Sequence, residues 1–151
     1  MISIKDGDIF CVQHGIICHQ VNCMGKMGAG IALAIRKKWP QVYQDYMATY
    51  QARQLMLGTV IISDIIPNQL RVASLCGQYY YGRKGLYTNY QALRMCFEKV
   101  EQVSRGCNLS VYVPYMMGCS LAGGDWEIVY GIISSKLTRA SIVVKQKGIS
   151  V

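Results

Sequence analysis

Two kinds of hydrophobic pattern alternate along the chain. Short apolar runs predict buried strands, and apolar residues that recur every three or four positions predict amphipathic helices. The predicted strands cover residues 2–4, 15–22, 59–66, 71–79, 109–115 and 141–145. The predicted helices cover residues 28–38, 89–105 and 126–137, and a further helix begins at Pro40.

This alternation of strands and helices predicts an α/β fold, in which helices cover both faces of a largely parallel sheet. Pro67 and Asn68 separate two adjacent predicted strands and suit a hairpin turn, which adds an antiparallel element. The 151 residues show no repeat, linker or low-complexity stretch. We therefore expect a single domain over residues 1–151.

Two glycine-rich segments each follow a predicted strand and precede a predicted helix. They are Gly25-Lys26-Met27-Gly28-Ala29-Gly30 and Gly118-Cys119-Ser120-Leu121-Ala122-Gly123-Gly124. Glycine lets the backbone approach a ligand closely, and the free N–H groups and dipole of a helix N-terminus attract negative charge. We expect the two segments to clasp a nucleotide diphosphate at the carboxyl ends of their strands. The alternative is that the glycines only allow close packing of helix on strand.

Charge and cysteine content narrow the class of protein. Sixteen Lys and Arg against eight Asp and Glu leave a formal net charge of +8, which favours an anionic partner. That partner is either a small phosphorylated ligand or a nucleic acid, unless the charges only solvate the surface.

The seven cysteines are scattered without a C-x-x-C pair, which argues against a disulfide framework and a zinc site. We expect no metal, no other cofactor and a reducing compartment.

The chain carries no segment that predicts a membrane location. No apolar run approaches the roughly 20 residues needed to span a bilayer, and the N-terminal residues are too polar for a signal peptide. We therefore expect a soluble cytoplasmic protein with no membrane partner.

Three polar residues in the N-terminal part of the chain are candidates for ligand contact. Asn22 ends a predicted strand, so its amide would face whatever the segment holds, unless it only caps the loop. His19 is either a general acid–base or a core histidine, and strand alternation places His19 and Gln20 on opposite faces, with Asn22 on the face of Gln20. Asp8 follows a glycine turn and either accepts a hydrogen bond from an adenine amine or caps the turn.

Two candidates lie further along the chain. Asp125 precedes the last helix and is most simply its N-cap, reinforced by Glu127, with a catalytic role as the alternative. Residues 78–85 form a tyrosine-rich segment in which the rings would flank a sugar or base, while Arg83 or Lys84 pairs with phosphate. Otherwise the segment is a mobile lid or a surface loop.

Three segments of the chain, taken together, resemble the macrodomain family. They are Gly7-Asp8-Ile9-Phe10, His19-Gln20-Val21-Asn22-Cys23-Met24-Gly25-Lys26-Met27-Gly28-Ala29-Gly30-Ile31-Ala32, and Pro114-Tyr115-Met116-Met117-Gly118-Cys119-Ser120-Leu121-Ala122-Gly123-Gly124-Asp125-Trp126. The likeness covers nearly the whole chain in order. It is greatest to the branch that holds the terminal ADP-ribose glycohydrolase, the yeast ADP-ribose-1''-phosphate phosphatase and many phage-encoded proteins.

The resemblance implies a three-layer α/β/α sandwich with a central mixed sheet of about six strands, and it implies ADP-ribose as the ligand. By the family pattern Asp8 and Ile9 contact adenine, Asn22 faces the distal ribose, and His19 matches the histidine proposed as catalytic in the yeast phosphatase. The implied phosphate-binding residues are Gly28, Ala29, Gly30 and Ile31 in the first loop and Gly118, Cys119, Ser120 and Leu121 in the second, with Tyr115 also implied to contact the ligand.

One departure from the family pattern bears on mechanism. The terminal glycohydrolase uses a lysine to attack the opened ribose and an aspartate in the second loop to assist it. Those positions fall near Tyr81 and on Ala122 here, and Asp125 is not the equivalent of that aspartate. The covalent lysine mechanism is therefore not expected, and Lys84 would replace that lysine only if its loop takes a different path.

The resemblance leaves two main functions open. The first is a hydrolase that acts at the distal ribose, either on ADP-ribose-1''-phosphate or on ADP-ribosylated protein or nucleic acid. A water positioned by Asn22 and the loops would attack, with His19 as acid–base. The second is a non-catalytic reader or scavenger of ADP-ribose or a related signalling nucleotide. A third, weaker hypothesis is binding of single-stranded RNA or poly(ADP-ribose) through the basic surface. We expect a monomer in each case, in the host cytoplasm if the protein is phage-encoded.

Overall fold

A computed structural model of the chain describes residues 2–139 and 141–146, and the rest of the predicted domain 1–151 lies outside these ranges. Within them, one six-stranded sheet is flanked by four α-helices. The strands are β1 (Ile2–Gly7), β2 (Gly15–Val21), β3 (Val60–Ile66), β4 (Leu70–Cys76), β5 (Val111–Pro114) and β6 (Ser141–Gln146). The helices are α1 (Gly30–Lys38), α2 (Pro40–Gln51), α3 (Tyr90–Cys107) and α4 (Trp126–Lys136), with a short 3-10 helix at Ile9–Cys11.

The sheet is mixed, as the sequence predicts. Its strand order is β1-β6-β5-β2-β4-β3, and all neighbours are parallel except the antiparallel pair β3 and β4. That pair is the predicted hairpin, and its turn places Asn68 at a φ of 61°. Asparagine tolerates a left-handed φ better than most residues do, which is why Pro67-Asn68 suits this hairpin turn.

Helices cover both faces of the sheet, which confirms the three-layer arrangement. Alternate residues of β2 point to opposite sides: Ile16 and Cys18 join the core beneath α3 and α4, while Ile17 and Val21 join the core beneath α1 and α2. The first core also holds Leu93, Phe97, Val129 and Ile133, and the second holds Ile31, Ile35, Val42 and Tyr46.

Several element bounds differ from the predicted ones. The strand β1 extends to Gly7, and β2 ends at Val21, one residue before Asn22. The strand β4 ends at Cys76 and not at residue 79, because the chain there leaves the sheet into the tyrosine-rich segment. The helix α1 begins at Gly30, so Gly28 belongs to the loop before it.

One element was not predicted. A 3-10 helix follows β1, and the Asp8 side chain caps it by accepting a hydrogen bond from the Phe10 N–H at 2.9 Å. Three residues are too few for a hydrophobic period to appear in the sequence. Over the described ranges, no helix combines the length and the apolar content needed to cross a membrane.

Candidate ligand-binding site

The two glycine-rich segments lie side by side at one edge of the sheet. The strand that precedes the first, β2, is the parallel neighbour of β5, which precedes the second. The helix after β2 packs on one face of the sheet, and the helix after β5 packs on the other. A crevice opens where consecutive connections leave to opposite faces, and ligands of α/β sheets bind there.

A cleft of about 840 Å³ occupies this crevice, which is within the usual size range of ligand pockets. Loop 1 (residues 22–29) and the start of α1 form one wall, and loop 2 (residues 115–125) forms the other. The lining residues from these parts include Asn22, Lys26, Gly28, Ala29, Gly30, Ile31, Gly118, Ser120, Leu121 and Ala122. Nearly all the residues implied to form the two phosphate loops therefore meet in one cleft.

The start of α1 leaves backbone donors available to the cleft. Ala29 is the N-cap residue and provides no side-chain hydrogen bond to the first turn. Gly28, Ala29 and Gly30 are exposed, and Gly30 adopts a φ of 59°, which favours glycine. An uncapped helix N-terminus presents N–H groups and positive dipole potential to an anion.

Asn22 is both a cleft residue and a cap of loop 1. Its Oδ1 accepts hydrogen bonds from the Met24 N–H at 3.0 Å, the Lys26 N–H at 3.4 Å and the Tyr46 hydroxyl at 2.9 Å. Its Nδ2 donates to the Lys26 carbonyl at 2.9 Å. Asn22 therefore caps loop 1, as the alternative interpretation predicts, and it also lines the cleft.

Strand alternation predicts that Asn22 lies on the same face of the sheet as Gln20, but in the structure it lies on the other face. It bonds to Tyr46 of α2, whose helix covers the face of Val21. The reason is that β2 ends at Val21, so the two-residue period no longer applies at Asn22.

His19 is a buried, neutral imidazole that also lines the cleft. It is 1% exposed, and its Nε2 lies 2.7 Å from the Ser74 hydroxyl on β4. Among the described residues, its Nδ1 has no hydrogen-bond partner. Burial lowers the pKa of His19 to about 3, so the ring carries no charge near neutral pH. In this state one ring nitrogen is a hydrogen-bond donor and the other is an acceptor, and the ring has no imidazolium proton to give.

Loop 2 is held by a chain of polar side chains that begins on β2. The Gln20 Nε2 donates to the Thr88 hydroxyl at 3.0 Å and to the Gln78 Oε1 at 2.8 Å. The Thr88 hydroxyl in turn donates to the Gly118 carbonyl at 2.5 Å. Gly118 has a φ of 75°, and a Cβ there would lie 2.8 Å from the Gln20 Oε1. A glycine is thus required at this point of loop 2 by both conformation and space.

The tyrosine-rich segment (residues 78–85), together with the two residues that follow it, connects the two loops. The Tyr79 carbonyl accepts from the Cys23 N–H at 2.9 Å, and the Tyr87 N–H donates to the Ala122 carbonyl at 2.7 Å. Tyr80 and Tyr81 stack with ring centroids 4.9 Å apart. The segment is therefore tied to loop 1 at one end and to loop 2 at the other.

Four residues of this segment line the cleft: Gln78, Tyr81, Gly82 and Arg83. Tyr81 and Arg83 are both exposed. Arg83 and Lys26 are the basic residues of the described lining, and no carboxylate is found in that part of it. The cleft therefore suits an anion.

Several implied site residues stand outside the described lining. Asp8 caps the 3-10 helix, and Ile9 is fully buried beside it. Asp125 caps α4 by accepting from the Glu127 N–H at 2.9 Å, which confirms the N-cap prediction.

Tyr115 and Cys119, the other two implied site residues outside the described lining, belong to loop 2. The Tyr115 ring meets the Trp126 ring edge-on at 5.0 Å. Cys119 is half-buried, and burial, assisted by the charge of Asp125, raises its pKa to about 11.

Residues that sequence reasoning missed are those that hold the loops. Tyr46 on α2 and Thr88 before α3 come from distant parts of the chain, and both act through single hydroxyl groups. Neither lies in a motif, and only the tertiary structure shows their partners. Within the described ranges, no group of three or more His, Cys, Asp or Glu side chains is placed to hold a metal ion.

Comparison with known proteins identifies the family. The Macro domain family model matches residues 18–133, so the chain belongs to the macrodomain family. The match begins on β2 and ends on α4, and it includes both glycine loops.

Curated relatives fall in three groups. The DNA ADP-ribosyl glycohydrolase of Mycobacterium tuberculosis is 28% identical over 64 residues, which is 42% of this chain and 18% of that protein. The ADP-ribose 1''-phosphate phosphatase of Aspergillus oryzae is 37% identical over 70 residues, 44% of this chain and 34% of that protein. An uncharacterized protein from the tk-vs intergenic region of Enterobacteria phage T4 is 24% identical over 131 residues, 85% of this chain and 83% of that protein. The chain thus spans a minor part of the two named enzymes.

Solved structures share the fold over almost the whole chain. A macrodomain protein from Streptomyces coelicolor is 29% identical with a TM-score of 0.82, covering 97% of this chain and 99% of that one. Thermosipho africanus DarTG in complex with ADP-ribose is 19% identical with a TM-score of 0.80, covering 95% of this chain and 41% of that one. The second likeness shows the fold alone.

Proposed function

We propose that this macrodomain binds ADP-ribose and hydrolyses an ADP-ribose derivative at its distal ribose. The observation that carries the proposal is the meeting of two glycine loops at the ends of the adjacent strands β2 and β5, beside the uncapped N-terminus of α1. A diphosphate held there gains backbone hydrogen bonds from both sides.

The names of the relatives support this choice of ligand and reaction. One is a DNA ADP-ribosyl glycohydrolase, one is an ADP-ribose 1''-phosphate phosphatase, and a structural neighbour contains ADP-ribose. The two named activities both break a bond at the distal ribose. The substrate class of this chain is accordingly ADP-ribose-1''-phosphate or an ADP-ribosyl linkage to nucleic acid or protein.

Each side of the cleft has a proposed part in binding. The N–H groups at the start of α1 and those of loop 2 hold the two phosphates, while Lys26 and Arg83 add positive charge at the rim. The adenosine end extends towards Asp8 and Ile9. Tyr115 and Cys119 belong to loop 2, and Asp125 serves as the cap of α4.

The reacting end lies at Asn22 and His19. The Asn22 amide donates to an oxygen of the distal ribose, and a water held beside the phosphates attacks the anomeric carbon of that ribose. The bond from this carbon to the phosphate, nucleic acid or protein breaks, the leaving group departs with the bonding electrons, and the attacking water loses its proton to His19. His19 begins neutral and accepts a proton, because a bound phosphate beside it raises the pKa of the imidazole from its low starting value. The described lining offers no carboxylate for this task, so the phosphate of the ligand is the other base available.

The alternative function is a non-catalytic reader or scavenger of ADP-ribose. It is favoured by the same absence of a carboxylate from the described lining and by Ala122, a buried alanine at the position where the terminal glycohydrolase has its aspartate. A reader would need the loops and the cations but not His19.

Calorimetric titration with ADP-ribose, using AMP and NAD as comparators, tests binding. Saturable one-to-one binding, at least about tenfold tighter than that of AMP, supports the ligand assignment. The same preparation is then incubated with ADP-ribose-1''-phosphate and with ADP-ribosylated DNA and protein. Release of phosphate or ADP-ribose supports the hydrolase, and tight binding without turnover of any of them supports the reader. Absence of heat with ADP-ribose would overturn both.

A further inference from the structure

The hydroxyl of Tyr46 connects α2 to loop 1 at three atoms. It donates to the Asn22 carbonyl, 2.6 Å away, or to the Asn22 Oδ1 at 2.9 Å, and it accepts from the Gly25 N–H at 3.1 Å. Tyr46 is fully buried and does not belong to the described cleft lining. Burial raises the pKa of Tyr46, so the hydroxyl stays protonated over the physiological pH range.

Loop 1 is seated on α2 at this point by shape as well as by hydrogen bonds. Gly25 has a φ of 76°, and a Cβ there would lie 2.9 Å from the ring of Tyr50. Tyr50 follows Tyr46 by one helical turn, so both side chains lie on the same face of α2. The turn of loop 1 therefore contacts one ridge of that helix.

The bonds around Asn22 determine which way its amide points. The Oδ1 faces two backbone N–H groups and the Tyr46 hydroxyl, whereas the Nδ2 faces the Lys26 carbonyl. An inverted amide would set its N–H groups against these donors and its oxygen against a carbonyl. The second N–H of Nδ2 is thus the group that Asn22 has left for the cleft, and Asn22 is a hydrogen-bond donor to the ligand.

We propose that Tyr46 is a positioning residue of this site: its hydroxyl holds loop 1 on α2 and fixes Asn22 as a donor towards the ligand. Tyr46 touches no ligand atom and acts through Asn22 and Gly25. The effect on ligand affinity rests on the proposed function, whereas the effect on loop 1 does not.

Tyr46→Phe removes the hydroxyl and keeps the buried ring. Tyr43→Phe is the matched control, because Tyr43 lies on the same helix, its ring lies under the Arg36 guanidinium at 3.7 Å, and its hydroxyl makes no hydrogen bond within the described ranges. Hydrogen exchange of the free proteins is measured by NMR. We expect the Gly25 amide to exchange slowly in the wild type and in Tyr43→Phe, and at least about tenfold faster in Tyr46→Phe.

The second experiment measures the affinity of each variant for ADP-ribose, well below the unfolding temperature of that variant. We expect Tyr46→Phe to weaken binding by about five- to tenfold, the equivalent of one lost hydrogen bond, with no change in Tyr43→Phe. In an Asn22→Ala background Tyr46→Phe should cause a smaller loss, because the side chain that it orients is absent and only the bonds to the backbone of Asn22 and Gly25 remain to be lost. A merely structural role of Tyr46 would cause the same loss in both backgrounds.

The outcomes separate this proposal from the proposed function. A fast-exchanging Gly25 amide in the wild type, or an unchanged one in Tyr46→Phe, would overturn the positioning role whatever the ligand. Equal losses in the two backgrounds would also overturn it. A wild-type protein that does not bind ADP-ribose would overturn the proposed function, and the exchange measurement would still decide the role of Tyr46.

Discussion

The imidazole Nε2 of His19 lies 2.7 Å from the hydroxyl oxygen of Ser74, its cross-strand neighbour on β4. Both residues are buried at the centre of the sheet, yet His19 also reaches the wall of the cleft. A histidine so placed is a core residue and a candidate acid–base at once. The sequence left these two interpretations open, and the structure shows that they are not exclusive.

This burial predicts a pH dependence of stability. The pKa of His19 falls from 6.5 to about 3 on folding, because burial penalises the charged ring. Between these values the unfolded chain binds more protons than the folded one. The free energy of unfolding therefore does not depend on the titration of His19 above pH 6.5. As the pH falls from 6.5 towards 3, His19 lowers the free energy of unfolding by up to about 1.4 kcal/mol per pH unit. Urea unfolding from pH 7 to pH 4.5 measures it.

The variant His19→Gln isolates this effect, since glutamine does not titrate and keeps a hydrogen-bonding group near Ser74. We expect its free energy of unfolding to fall less steeply with acid than that of the wild type. His14→Gln, at an exposed position, should follow the wild type. Identical slopes for the wild type and His19→Gln would contradict a depressed pKa.

Gly28 distinguishes the ligand-binding and packing interpretations of the first glycine segment. A Cβ on Gly28 would meet nothing within 4 Å, so Gly28→Ala should change the free energy of unfolding by less than about 0.5 kcal/mol. If a phosphate lies against this backbone, the added methyl group should weaken ADP-ribose binding by about tenfold or more. Denaturation and calorimetry on one preparation give both values. Unchanged affinity would remove Gly28 from the ligand contacts.

Gly118 behaves differently under the same substitution. Its φ of 75° and the 2.8 Å approach of a Cβ to the Gln20 Oε1 both oppose a side chain. Gly118→Ala should therefore destabilise the fold by about 1–3 kcal/mol and should also weaken ligand binding. A shift in the urea midpoint tests the first effect. A fully stable Gly118→Ala protein would show that loop 2 has another conformation available.

Arg83 tests the electrostatic part of the proposal. It is exposed at the rim of the cleft, so solvent screens its charge, and Arg83→Gln should weaken ADP-ribose binding by only about three- to tenfold. Arg94→Gln, on the exposed side of α3, should leave binding unchanged. The affinity of the wild type for ADP-ribose should fall gently with salt. A steep fall, as in binding to a polynucleotide, would instead favour the nucleic-acid hypothesis.

Thiol reactivity should follow burial. Cys11 is exposed, whereas Cys18, Cys76 and Cys96 are buried, and burial raises the pKa of all three, that of Cys96 to about 12. A disulfide reagent at neutral pH should react quickly with Cys11 and should react with Cys18, Cys76 and Cys96 only after unfolding. Cys11→Ser should remove the fast phase. Rapid modification of Cys18 in the folded protein would contradict its burial.

Local sequence rules predicted most elements and several of their ends. Hydrophobic periods located the four helices and six strands because one face of each is buried against the same sheet. Asp125 is the N-cap of α4, as the sequence predicts, and Asn89, the first residue of the predicted helix 89–105, is the N-cap of α3. The ends of β2 and β4 were less well predicted, because a strand ends where its neighbours cease to pair with it and not where its own pattern ceases.

The sequence by itself determined the element order, the glycine requirement of the loops and, through the combined motifs, membership of the macrodomain family. Those properties depend on local conformation and on short segments, so they can be read along the chain. Only the tertiary structure decided that β2 and β5 are neighbours whose helices leave to opposite faces. It also brought Tyr46 to Asn22 and Thr88 to Gly118. Such pairings depend on contacts between distant residues that become close only when the apolar surfaces of the whole chain are buried together.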